Sequence, residues 1–165
     1  ARTTGMAVRN DVEVLRQVPM FAAVDGAYLQ VMAFSSKRIN LKAGQFLARK
    51  GKPSSSGFLV LDGRAEAIEY GKDEGSAKVI AEIGSGGFIG TLSMVAKLPS
   101  SVTVRATSPM RAMQIPHDLF IRVCTEFPET GAQILRYLSD NLDLSIADFK
   151  RVQRLFEDAR PFLQS

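Results

Sequence analysis

At 165 residues, 45% hydrophobic and 23% charged, the chain has the size and composition of one soluble domain able to bury a core. A lone histidine, His117, and a lone cysteine, Cys124, exclude a self-contained zinc or non-haem iron site and an internal disulfide, and leave a hydrolase triad only His117 as base. The net charge of +4 comes from cations interleaved with acids, and no apolar run reaches the roughly 18 residues of a membrane span, so a cytoplasmic protein with a solvated basic surface is expected.

Taken in chain order, Asn10-Asp11 is a helix N-cap signal for VEVLRQ, which stops before Pro19. Asp25 caps a second helix, GAYLQVMAF, whose Leu29, Met32 and Ala33 share a face. The pattern then changes to short strands. KRINL breaks at Lys42-Ala43-Gly44, and QFLA follows, then the loop RKGKPSSSG. FLVL and RAEAIEY are separated by Asp62-Gly63, a hairpin signal. The turn KDEGS precedes KVIAEI, then Gly84-Ser85-Gly86-Gly87 and a short strand. SVTVRA and MRAMQI are joined across Thr107-Ser108-Pro109. About eight strands at this spacing imply a sandwich, jelly roll or β-roll.

Pro116 suits the first turn of HDLFIRVCTEF, which ends near Phe127-Pro128. His117 is read as a surface or capping histidine and Cys124 as a buried, inert thiol. From residue 129 to 158 the apolar positions Leu135, Leu138, Leu142, Phe149, Val152 and Phe156 step by three and four, with Ser145 in the missing slot. Such a heptad seam suits a parallel helix pair, and a homodimer through this helix is expected; packing against the chain's own β-domain is the alternative, and the two are compatible.

Residues 87–106 read GFIGTLSMVAKLPSSVTVRA, in which Lys97 is the one charged residue before Arg105. With LKAGQFLARKGKPSSSGFLVLDGRAEA, carrying Gly44, Gly51, Phe58 and Gly63, and with IAEIGSGGFIG and SSVTVRA, the order of elements resembles the cyclic nucleotide-binding domain. That domain is the sensor of catabolite-activator-like (Crp/Fnr) regulators, protein kinase A regulatory subunits and gated channels. The resemblance covers roughly residues 12–156. It implies an α+β domain: an eight-stranded antiparallel β-roll of the jelly-roll (double-stranded β-helix) type over 37–115, N-terminal helices over 10–36, and C-terminal helices over 116–158 with the dimerisation helix at 129–158.

In such domains a glycine opens a short helix whose N–H groups face the cyclic phosphate, an arginine neutralises that phosphate, and a glutamate takes the ribose hydroxyl. The resemblance puts Gly90 at the glycine, Thr91 at the glutamate and Ser100 at the arginine, while Ala106 matches the end of the strand. Both charged anchors are therefore replaced by neutral side chains, and weak or absent cyclic AMP and cyclic GMP binding is expected. The degenerate cassette comprises Gly87, Phe88, Ile89, Gly90, Thr91, Leu92, Ser93, Ser100, Ser101 and Val102. The hydroxyls of Thr91, Ser93, Ser100 and Ser101 offer a neutral cluster for a small anionic or polar ligand. Arg105 is a candidate anion contact, and Phe149 and Lys150 fall where related proteins meet the base.

No catalytic residue, metal or resident cofactor is expected. The reading is a non-enzymatic sensing module; its alternatives are a transcription regulator's sensor half lacking its helix-turn-helix, or a partner-binding scaffold. Direct DNA binding is not expected of these residues.

Overall fold

The computed structural model describes residues 11–72 and 75–141. They form two compact units, one spanning Ser36–Pro116, the other drawn from the chain on either side of it.

The Ser36–Pro116 unit holds eight strands in two four-stranded antiparallel sheets. β1 (Lys37–Leu41), β3 (Ser56–Asp62), β6 (Phe88–Ile89) and β8 (Met110–Pro116) make one sheet in the order β1-β8-β3-β6. β2 (Phe46–Ala48), β4 (Ala65–Tyr70), β5 (Ala77–Ile83) and β7 (Thr103–Ala106) make the other, ordered β2-β7-β4-β5. Ile39, Ala112 and Val60 lie in one row across β1, β8 and β3, and Ala67 pairs with Val104 in the opposite sheet. These inward residues, with Leu41, Ala65, Ile89, Ala106 and Met110, form the hydrophobic core of the roll.

The eight antiparallel strands and their flanking helices agree with the α+β roll expected from the sequence. FLVL has a physical reason for being apolar without alternation: Leu59 and Val60 point to opposite faces of β3, and both are fully buried. The edge strand β5 is the contrast, with Val79 and Ile80 about half exposed.

Asp62-Gly63 does not close a hairpin, contrary to the sequence expectation. β3 pairs with β6 and β8, whereas β4 pairs with β5 and β7, so the dipeptide is a corner at which the chain changes sheets. A register irregularity between Val60 and Asp62 starts the bend, as bulges do. Gly63 takes φ 91°, and a Cβ there would meet the Pro109 carbonyl oxygen at 2.3 Å. The second corner, at 107–109, is bonded to the first: the Arg64 N–H donates to Ser108 Oγ (3.0 Å) and the Thr107 N–H to the Arg64 carbonyl (2.9 Å).

The other unit is helical. Residues 11–17 form α1, followed by a 3₁₀ turn at Pro19–Phe21 and α2 (Gly26–Ser35). The Asp25 carboxylate accepts the Ala27 N–H at 2.9 Å, which is the cap read from the sequence, and Leu29, Met32 and Ala33 are buried together. α4 (His117–Glu126) and α5 (Pro128–Asn141) pack on each other, and the Tyr28 and Phe127 rings stack at 4.0 Å. (α3 belongs to the β-unit and is described below.) Gly131 lets α5 approach closely, since its missing Cβ would lie 3.2 Å from Cys124 Cβ. Along α5 the buried stripe is Thr130, Gly131, Ile134 and Leu138; the seam's Leu135 is half-buried, and its positions from Leu142 onward lie outside the described residues.

His117, expected as a surface or capping residue, is the first residue of α4 and is buried at 7% exposure, which corrects the surface alternative. A residue at a helix start is placed by the tertiary fold, which the local pattern does not contain. Cys124 is buried, and burial pushes its thiol up to about 12. At pH 8 the buried thiol stays protonated, so a disulfide exchange reagent is expected to leave the native chain untouched and to modify it on unfolding. Rapid modification of the folded chain would contradict this. The unfolded thiol ionises at lower pH than the folded one, so Cys124 weakens the fold as pH rises from about 9 towards 12.

Candidate functional site

The cassette begins at the turn 84–87, where the Gly87 N–H donates to the Gly84 carbonyl and the Gly87 carbonyl accepts the Val60 N–H, both at 2.9 Å. Phe88 and Ile89 then pair with Leu59 and Phe58. Gly90 follows in the left-handed region, φ 83°, with its α-carbon so near β3 that a Cβ would lie 2.8 Å from the Ser56 carbonyl oxygen. Only glycine meets both demands without strain. α3 (Thr91–Ala96) starts there, and its first intrahelical bond runs from the Met94 N–H to the Gly90 carbonyl at 2.9 Å. The N–H groups of its first turn have no intrahelical acceptor, and no side chain caps them.

α3 ends at Lys97, the one described non-glycine residue with positive φ, at 55°. Its N–H donates to the Ser93 carbonyl (3.0 Å), and the Leu98 N–H reaches the Leu92 carbonyl (3.4 Å). This is a left-handed helix stop of the kind usually made by glycine, and a lysine there costs about 1 kcal/mol more.

Two of the four hydroxyls are already engaged. Ser93 Oγ, buried, donates to the Leu98 carbonyl at 2.7 Å. Ser100 Oγ donates to the Val102 carbonyl at 2.7 Å, while the Ser100 backbone exchanges bonds with Gly51 (2.8 Å) and Lys52 (3.1 Å). Thr91 is half-buried and Ser101 exposed, with Val102 packed against the interior.

Strand alternation separates Val104, fully buried, from Arg105. Arg105 lies opposite Glu66 in the β7–β4 ladder and donates to its carboxylate at 2.8 Å, so this cation already has a counter-charge. Phe149 and Lys150 lie outside the described residues.

The segment 87–104 thus has a left-handed glycine opening a short helix without a side-chain cap, and its sequence contains no arginine. Its remaining cation, Lys97, lines a cleft of about 650 Å³ with Arg49, Lys52, Phe46 and Phe58. The loop RKGKPSSSG carries three cations between positions 49 and 52, which is the sequence signal for this cleft.

The family model described as cyclic nucleotide-binding domain matches residues 38–127. The chain belongs to that family. Among curated proteins it is similar to a lysophospholipase of Cryptococcus neoformans, 31% identical over 108 residues, which cover 66% of this chain and 6% of that protein. An uncharacterised NTE-family protein of Mycobacterium tuberculosis is 31% identical over 125 residues, covering 76% of this chain and 21% of the relative. The chain therefore spans a small part of the length of these relatives. Among solved structures, the N-terminal domain of a transcriptional regulator from Streptomyces coelicolor superposes with a TM-score of 0.72 at 24% identity, covering 77% of this chain and 90% of that one. Within this cyclic nucleotide-binding domain, no described helix is long and apolar enough to cross a membrane.

Proposed function

We propose that this cyclic nucleotide-binding domain is a non-enzymatic regulatory module whose cassette holds cyclic AMP and cyclic GMP weakly or not at all. The observation that carries the reading is the pairing of an intact cradle with neutral anchors. Gly90 turns the chain and opens α3, yet Thr91 and Ser100 stand where the family resemblance puts the glutamate and arginine. Ser100 is held down by its own turn, and Arg105 is paired with Glu66. A hydrogen bond in which one partner is charged, guanidinium to phosphate or carboxylate to ribose hydroxyl, is worth about 1.5–3 kcal/mol, so losing both anchors costs roughly two to four decades of affinity.

Calorimetric titration of the unaltered chain tests this. No saturable heat is expected with either nucleotide up to about 1 mM, equivalent to roughly −4 kcal/mol of binding. Saturation at micromolar concentration would set the reading aside.

The likeness to part of a lysophospholipase and to a transcriptional regulator's N-terminal domain supports a refinement: the module biases an activity supplied elsewhere in a longer protein or by a partner. The residues read as its ligand segment are Gly87 to Ser93 and Ser100 to Val102. Residues 129–158 are read as its dimerisation helix, and 1–165 as a single functional domain. A scaffold that has lost ligand binding altogether is the alternative, and it differs in showing no response to any small anion.

A further inference from the structure

Arg49, Lys52 and Lys97 come from a loop and a helix end far apart in sequence, yet line one cleft of about 650 Å³. No aspartate or glutamate is among its lining residues, and among the described residues no carboxylate pairs with any of the three. Arg105 behaves differently, being neutralised by Glu66. Three unneutralised cations around one concavity favour a multiply charged anion. The Arg49 guanidinium lies 3.8 Å above the Phe46 ring, which fixes its plane while its donor edges stay available for a bidentate contact.

The rest of the cleft is of another character. Phe46 and Phe58 offer aromatic surface, while Ser55 and Gln114 add neutral hydrogen-bonding groups. A neighbouring cleft of about 740 Å³ shares Phe46, Leu47, Arg49, Phe58 and Gln114, and so extends the apolar floor away from the two lysines. Both volumes are in the range of small-molecule sites. Neither cleft includes Gly90, Thr91 or Ser100 in its lining; the cleft meets the cassette segment only at Lys97, at the far end of α3 from Gly90.

Two further features bear on this cleft. Lys97 occupies a left-handed backbone position that glycine would take without strain, so a charged side chain stands at the rim despite its conformational cost. The basic loop is also bonded to the cassette's exit: Gly51 and Lys52 exchange backbone bonds with Ser100, and the Lys50 N–H donates to Thr103 Oγ1 at 3.0 Å. An occupant held by Arg49 and Lys52 therefore bears on the segment that closes the cassette.

We propose that this cleft is a second ligand site, which takes a phosphate monoester carrying an apolar or aromatic body. The dianion sits among Arg49, Lys52 and Lys97, and the body lies along Phe46 and Phe58.

The test titrates the chain with 1-naphthyl phosphate, inorganic phosphate and 1-naphthol, followed by amide chemical shifts. Naphthyl phosphate is expected to bind at least tenfold more tightly than either fragment, with shifts at residues 46–58 and 97. Arg49→Gln and Lys97→Gly are each expected to weaken it about tenfold. Lys97→Gly relieves the left-handed strain, so its thermal midpoint is expected to hold or rise, which separates lost binding from lost folding. Equal binding of 1-naphthol or of inorganic phosphate, unchanged affinity in both variants, or no saturable binding overturns the proposal. Vesicles of phosphatidylcholine containing phosphatidic acid distinguish the source. Cosedimentation that naphthyl phosphate displaces assigns a lipid headgroup, and solution binding without cosedimentation assigns a free phosphate ester; each supports the site.

Discussion

Thr91→Glu combined with Ser100→Arg is expected to raise affinity for cyclic AMP by roughly two to four orders of magnitude, from millimolar or weaker into the micromolar range. The reason is geometric. Gly90 already holds the left-handed turn against the Ser56 carbonyl, and α3 already presents N–H groups without intrahelical acceptors. The double change supplies the cation and the ribose acceptor that the family resemblance assigns to these positions. Ser100→Arg alone is expected to give the larger share, because it neutralises a full phosphate charge. Its local cost is the Ser100 Oγ bond to the Val102 carbonyl, whereas the backbone bonds to Gly51 and Lys52 are independent of the side chain. Calorimetry with a parallel thermal melt reads the result. A folded double variant without measurable affinity would show that more than the missing charges keeps nucleotide out of this cassette.

Gly63→Ala is expected to produce the largest stability loss of any single small substitution in the roll, about 2–5 kcal/mol. Two costs add. The residue sits at φ 91°, which disfavours any L side chain, and its new Cβ would lie 2.3 Å from the Pro109 carbonyl oxygen and 2.6 Å from the Met110 Cα. Both neighbours are backbone atoms, so relief requires moving the corner that joins the two sheets. Gly51→Ala is the control. Its φ of 82° is similar but nothing lies within 4 Å of a Cβ, so only the conformational cost of about 1–2 kcal/mol applies. For a chain of this size the difference of about 1–3 kcal/mol corresponds to roughly 2–12 °C between the two thermal midpoints. Equal midpoints would mean that the corner yields freely and that its close approach does not hold the sheets in place.

Much of the architecture is legible in the sequence because local signals and global fold agree there. Asp25 caps α2 as its type suggests, Pro116-His117 marks the passage from β8 to α4, and the strands KRINL and RAEAIEY appear at their expected places. Asp62-Gly63 is misread because a dipeptide encodes a reversal with positive φ, whereas which strand lies alongside is decided elsewhere in the chain: β3 takes β6 and β8 as partners, and β4 takes β5 and β7. The apolar run FLVL is informative in retrospect: a strand buried on both faces belongs between partners such as β6 and β8. The cassette is legible as a pattern of glycines and small hydroxyls. The commitment of Ser93 and Ser100 to backbone carbonyls, and of Arg105 to Glu66, depends on three-dimensional neighbours. The cation cleft is the least legible of all. Lys97 stands 45 residues beyond Lys52, and only the folded loop brings them to one surface.

The most direct measurement is a residue-resolved titration of the unaltered chain with cyclic AMP, observing the backbone amides of Gly90, Thr91, Leu92 and Ser100. Small, non-saturating shifts up to about 1 mM are expected of a cradle without its charged anchors. Saturating shifts at those amides with a micromolar dissociation constant would contradict it.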